Sequence, residues 1–260
     1  MSTILTNRFA QRISPQMPKG GAFLGALAML LCAVHDGRAQ STADAPRPPS
    51  TNVATTDRFE FHSDPWLNLH HFLYHWVRDD EGLGSARQRV SVPERSALGQ
   101  LSDSERAAWL NAVTFYRQSV ANRSHFDPGM LRQKRALLEL GGDLETEAVP
   151  DEIPGIAAAL TVAMPVYRSQ WWPDHDRANR AWIATAEPFV RRHEARYVDM
   201  TRRIYDVEWS EAPRRADVSA YANARAGYTA EGHIVIYSTD VGNQALLWCG
   251  DSFPRDPAHP

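Results

Sequence analysis

Three histidines fall within Leu69-His-His-Phe-Leu-Tyr-His-Trp76. His71 and His75 are four apart and share one helical face, the spacing by which two imidazoles grip one metal ion. A catalytic metal also needs a third ligand and an activated water. No carboxylate stands at a matching helical position between the two, and histidines capping an aromatic cluster explain the pattern equally well. A second group is Trp171-Trp-Pro-Asp-His-Asp-Arg177. There Asp176 could orient His175 as a general base, although neighbours on a helix usually point apart. That favours a capping role, with Asp174 as the cap. His193-Glu194-Ala-Arg-Tyr197 has the outline of a two-histidine zinc helix, but Tyr197 stands where the second imidazole belongs. His193 also falls on an apolar stripe, where a hydrogen-bonded core histidine is the commoner arrangement.

The end of the chain holds a further lead. Gly232–Ser238 reads as a strand, with His233 as one more polar candidate, and Thr239–Trp248 reads as a turn opening into an apolar-faced helix. Cys249–Pro260 then changes character, so the helix never receives its next turns. No complete signature of a phosphate loop, nucleophile elbow, paired-cysteine centre or calcium loop occurs. Asn122-Arg-Ser124 matches the N-glycosylation acceptor, a pattern of low specificity.

The elements that must position these groups are mostly helices. Asp64-Pro65 caps and opens a helix to about Arg78, with Trp66, Leu69, Phe72, Leu73 and Trp76 on its apolar face. Ser102-Asp-Ser-Glu105 is a capping box for a helix to about Val120 that buries Trp109, Leu110, Val113, Tyr116 and Val120. Asp127-Pro128 launches residues 129–140, stopped by Gly141-Gly142. Pro154 starts another, which Pro165 must kink or shorten. The longest runs from near Asp174 to about Asp206, with Trp182, Ala186, Phe189, Val190, His193, Tyr197, Met200 and Ile204 as its apolar stripe and a bend at Pro188. Only after Pro213 does period-two alternation appear, giving two or three strands that must lie on the helices. The expected class is mainly α with a small C-terminal β-sheet.

Arg8, Arg12 and Lys19 precede an uncharged apolar run over residues 20–34, the order of an export signal and too short to span a bilayer comfortably. The expectation is an export signal over 1–40, a flexible spacer over 41–57, one domain over 58–248 and an irregular tail over 249–260, in the periplasm or secreted. Residues 1–40 hold four basic residues and one acidic one, which leaves 24 Lys and Arg against 30 Asp and Glu. That acidic balance, with no basic stripe, argues against a nucleic-acid partner. Membrane contact is expected only through the signal, and the sequence names no protein partner. Cys249 is the one cysteine beyond residue 40, so no intrachain disulfide forms there and the fold must rest on packing.

Three stretches, Phe61–Tyr74, Trp171–Ile183 and Gly232–Gln244, resemble a group of uncharacterised bacterial exported proteins. In that group the last stretch leads into a His-Glu-x-x-His helix similar to that of thermolysin-like zinc peptidases. The resemblance implies that Gly232–Ser238 is an edge strand for a peptide substrate and that the helix from Gln244 holds the metal in a full-length relative. This chain lacks both histidines and the glutamate of that motif. The expectation is therefore a metallopeptidase-like protein, truncated and inactive as written, with no cofactor of its own. The alternative is a non-enzymatic envelope protein that binds a protein or small ligand through its aromatic clusters.

Overall fold

The computed structural model describes residues 51–83, 89–144, 148–206, 208–209, 211–221, 227–230 and 233–238. The first element is β1 (Asn52–Thr55), followed by β2 (Phe59–His62) and α1 (Pro65–Asp80). Next come α2 (Val92–Ser96), α3 (Asp103–Ser119), α4 (Pro128–Glu139), α5 (Ile156–Gln170) and α6 (Trp172–Tyr205). The chain returns to strand as β3 (Arg214–Ser219), β4 (Gly227–Ala230) and β5 (His233–Tyr237). The protein is mainly helical with a small mixed sheet. None of the described helices is long and apolar enough to cross a membrane.

Local chemistry sets the helix starts. Asp64 accepts a hydrogen bond from Leu67 N at 3.0 Å, and Pro65 sits in the first turn of α1. Ser102 and Glu105 form the expected capping box on α3, and Asp127 caps α4 by accepting from Gly129 N and Met130 N. α5 begins two residues after Pro154, because Gly155 takes φ 90° as its N-cap. A Cβ there would stand 2.8 Å from the Phe115 ring. Pro165 lies within α5 without shortening it, and Pro188 lies within the 34 residues of α6. α6 starts at Trp172, so Asp174 is not its cap. Instead Asp174 occupies the first turn, where a carboxylate suits the helix dipole.

The small C-terminal sheet is present and is extended by strands from the N-terminal side, one of them in the stretch read as a spacer. Its order is β1-β2-β3-β5-β4, so two of its strands come from before the first helix. β1, inside the stretch read as a flexible spacer, pairs antiparallel with β2. β2 pairs parallel with β3, and β3 parallel with β5. Neighbouring parallel strands need a long crossover, and the whole helical body supplies it between β2 and β3. β5 is not an edge strand: β4 covers its other side.

The turn from β1 to β2 explains why so short a strand is held. Glu194, buried on α6, accepts from Thr56 Oγ1 at 2.6 Å, Arg58 N at 3.1 Å and Asp57 N at 3.2 Å. Glu194→Ala is expected to cost about 2–3 kcal/mol by stranding these donors. An unchanged urea midpoint would sink that account.

Most of the core packs around α1, with Phe72, Trp76, Trp109, Tyr116, Tyr167 and Trp171 at its centre. A smaller cluster of Phe61, Ile183, Ala216 and Val218 joins α6 to the sheet. α1 is buried on every side from Pro65 to Val77, so its face is broader than an amphipathic stripe. Leu110, assigned to the buried face of α3, is exposed. The apolar stripe read on α6 is its buried face only in the first half, where Ala186 is buried and Trp182 and Val190 pack on the smaller cluster. Tyr197 is 52% exposed and Ile204 63%, whereas His175, Asn179, Ile183, Ala186, Glu194 and Val198 are buried. That arc carries polar residues because they meet hydrogen-bonding groups of the sheet and its loops.

Candidate functional site

Two buried polar constellations sit at the ends of these elements. The first is centred on His175 in the opening turns of α6. Its Nδ1 lies 2.9 Å from the Tyr167 hydroxyl and its Nε2 lies 2.8 Å from Glu94 Oε1. Glu94 Oε2 accepts from Ser91 N at 2.8 Å and from the Tyr221 hydroxyl. Glu94 thus caps α2 and receives His175 at the same time. Burial pushes its carboxyl up, but hydrogen bonds from His175, Ser91 and Tyr221 prevail and hold it down at about 2. Burial raises the Tyr221 and Tyr167 phenols, and the Glu94 charge pushes both further the same way.

Asp176 was the candidate partner of His175, a pairing that the sequence already disfavoured because neighbours on a helix point apart. Asp176 turns away and pairs with Arg180 at 2.7 Å. Neighbours on a helix project about 100° apart, so a carboxylate 81 positions earlier in the chain orients the imidazole instead. A phenol, an imidazole and a carboxylate in line can move a proton, but both ring nitrogens are occupied by the protein itself. The group ties α2, the α5–α6 junction and the segment after β3 together.

The second constellation lies at the carboxyl ends of the parallel strands, where ligands of open sheets often bind. Asn68 on α1 donates to Asp64 O at 2.8 Å and Val218 O at 3.2 Å, and it accepts from Ala220 N at 3.0 Å. Asn179 on α6 donates to Asn68 Oδ1 at 3.1 Å and Ser63 Oγ at 3.2 Å. It accepts from Ser238 Oγ at 2.7 Å. Beside this lattice Arg215 grips Asp217 with two hydrogen bonds of 2.8 Å and reaches Asp64 at 3.5 Å. Burial, and next the Asp217 charge, raise Asp64 to about 7. Two carboxylates sharing one guanidinium favour a single retained proton.

The metal candidates are placed differently. His71 and His75 are buried in α1, His71 against the ring of His125 at 5.7 Å and His75 against that of Tyr221 at 5.8 Å. Among the described residues no three His, Cys, Asp or Glu side chains assemble into a group that could hold a metal, so these residues do not fit a zinc site. His193 packs on Phe189, and Asn122 is exposed in the turn after α3. His233 opens β5, but its side chain lies outside the described residues, as do Cys249 and the helix expected from Gln244.

Glu94, Tyr221, Asn179, Arg215 and Asp217 were not singled out from sequence. Ser91-Val-Pro-Glu94 is a readable capping box, which would have located α2. Nothing local marks the other four. No protein-family model, curated protein or solved structure matches the chain.

Proposed function

We propose that this chain is the scaffold of an exported, metallopeptidase-like protein and does not cleave peptides itself. The observation that carries the reading is the fastening of the exit of β5. Ser238 N donates to Ser219 O at 3.0 Å, and its hydroxyl donates to Asn179. Whatever follows β5 therefore starts from a fixed point between α6 and the parallel strands. In the proteins that the sequence resembles, the zinc-binding helix follows at this place. The sequence itself holds no His-Glu-x-x-His, so neither a metal grip nor a base for its water is provided. A peptide could not add to β5, which is paired on both sides.

The alternative of ligand binding through aromatic clusters would have to use aromatic residues outside the core. Trp66, Trp76, Trp109 and Trp171 are at most 3% exposed and form the core.

Two measurements test the proposal. The DNA following the codon for Asn243, read in all three frames, is expected to encode His-Glu-x-x-His, and its absence overturns the metallopeptidase relation. The purified chain is expected to hold substoichiometric zinc and to leave a fluorogenic peptide library intact. Stoichiometric zinc with chelator-sensitive cleavage would overturn its inactivity.

A further inference from the structure

We propose that the imidazoles of His70, His71 and His125, packed with Lys134 where α1, α3 and α4 meet, form an acid-sensitive latch whose protonation opens the α3–α4 corner while the sheet end of α1 stays closed.

The geometry is that of a pinned corner. The turn between α3 and α4 has no long hydrophobic segment of its own and is held by polar groups from its neighbours. Lys134 Nζ on α4 donates to His125 O at 2.9 Å. From α1, Tyr74 donates to Arg123 O at 2.7 Å and Arg78 to Ala121 O at 2.8 Å. Under that turn the His71 ring lies 5.5 Å from His70 and 5.7 Å from His125, and Tyr74 stacks 4.4 Å from His125. His70 Nδ1 meets the Tyr116 hydroxyl of α3 at 2.8 Å. His75 continues the row toward Tyr221, beyond β3. All four histidines and Lys134 are buried.

The groups facing this cluster make its charging costly. They are the cations Lys134 and Arg78 and the phenols Tyr74, Tyr116 and Tyr221. Burial first, then the Lys134 charge, depress His70 to about 3 and His125 to about 2. Burial and the neighbouring His70 hold His71 well below the ordinary imidazole range. Lys134 is itself lowered to about 7 by burial. A base depressed in the folded state contributes stability that is intact above its unfolded value near 6.5 and fades as pH falls below it. Each such imidazole raises the opening constant about tenfold per pH unit below 6.5. Lys134 has already lost its contribution by about pH 7, where it becomes charged inside the corner.

The other end of α1 responds in the opposite sense. Asp64, raised to about 7, retains a proton in the folded state, so its contribution grows on acidification and is lost as pH rises through 7. One helix thus carries two anchors of opposite pH response, and acid should separate the corner from the sheet rather than melt both together.

Backbone hydrogen exchange by mass spectrometry at pH 7.5 and 5.5, corrected for intrinsic rates, tests this on the whole chain. Three imidazoles multiply opening by up to about a thousandfold at pH 5.5. Amides of residues 116–137 are expected to lose at least about tenfold in protection, and those of 59–62 and 214–219 to lose none. Equal loss in both regions, or none in the corner, overturns the latch. His125→Phe should shrink the response of the corner by about tenfold, since one titrating group is gone. A folded His125→Phe chain with an unchanged response also overturns it. Should that variant fail to fold, the wild-type contrast between the two regions decides alone.

Discussion

Arg215→Met is expected to destabilise the fold by about 3–5 kcal/mol at pH 8, the range for breaking a buried ion pair from one side. Asp64 and Asp217 are fully buried, and Arg215 is the guanidinium that serves both. Its third contact, to Leu138 O at 3.2 Å, ties the end of α4 to the same place. Methionine fills much of the stem volume but leaves two carboxylates facing each other without a cation. The folded state then escapes by retaining a proton on Asp64, which burial already raises to about 7 and which loses the opposing pull of Arg215. An acid raised in the folded state gives stability that is present at low pH and lost as pH climbs through its folded value. The deficit of Arg215→Met relative to wild type should therefore shrink between pH 8 and pH 5.5. Taking the difference between the two chains removes the acid response of the distant histidine cluster, which both share. Urea unfolding at the two pH values measures it. A deficit below about 1 kcal/mol at pH 8, the scale of a surface ion pair, would show that water rather than protein solvates this triad.

The second large effect is expected at Phe72. Its ring is fully buried and lies 4.9 Å from His175, 5.2 Å from Tyr221, and 5.5 Å from both Trp76 and Trp171. Trp109 and Tyr167 complete the surround at 5.7 and 5.8 Å. Phe72→Ala leaves a cavity that rigid aromatic neighbours cannot fill, with an expected cost of about 3–5 kcal/mol. Phe72→Leu, which retains most of the volume, should cost about 1.5 kcal/mol or less. The cavity would open beside the His175–Glu94 contact, so the near-ultraviolet circular dichroism of the tryptophans should weaken even where the chain stays folded. Equal stability of the alanine and leucine variants would mean that the core relaxes around the loss.

These two sites differ in how far the sequence announces them. Phe72 stands on a helical apolar face and could be placed in the core from spacing alone. Arg215 and Asp217 read as ordinary charges at the start of an alternating strand. Their burial follows from the pairing of β3 between β2 and β5, which brings Asp217 opposite His62 and Val235. The same contrast appears along α6. Its apolar periodicity pointed at Tyr197, Met200 and Ile204, yet the buried arc runs through Asn179 and Glu194. Amphipathic reading assumes that a helix buries only its carbon, whereas α6 buries, beside Ile183, Ala186 and Val198, polar side chains that satisfy a turn and a strand end.

What the sequence by itself determined is the starts of α1, α3 and α4 and the mainly helical class. Asp64-Pro65, Ser102–Glu105 and Asp127-Pro128 act within three or four residues, through amides that the helix end always leaves free. What only the tertiary structure decided is which strands join the sheet and which groups meet. His175 finds Glu94 across 81 positions, and Arg215 finds Asp64 across 151. Capping is a short-range hydrogen bond that one turn of chain can complete. Strand partners and buried charge partners exist only once distant segments have packed, because nothing near them in sequence supplies the missing donor or charge.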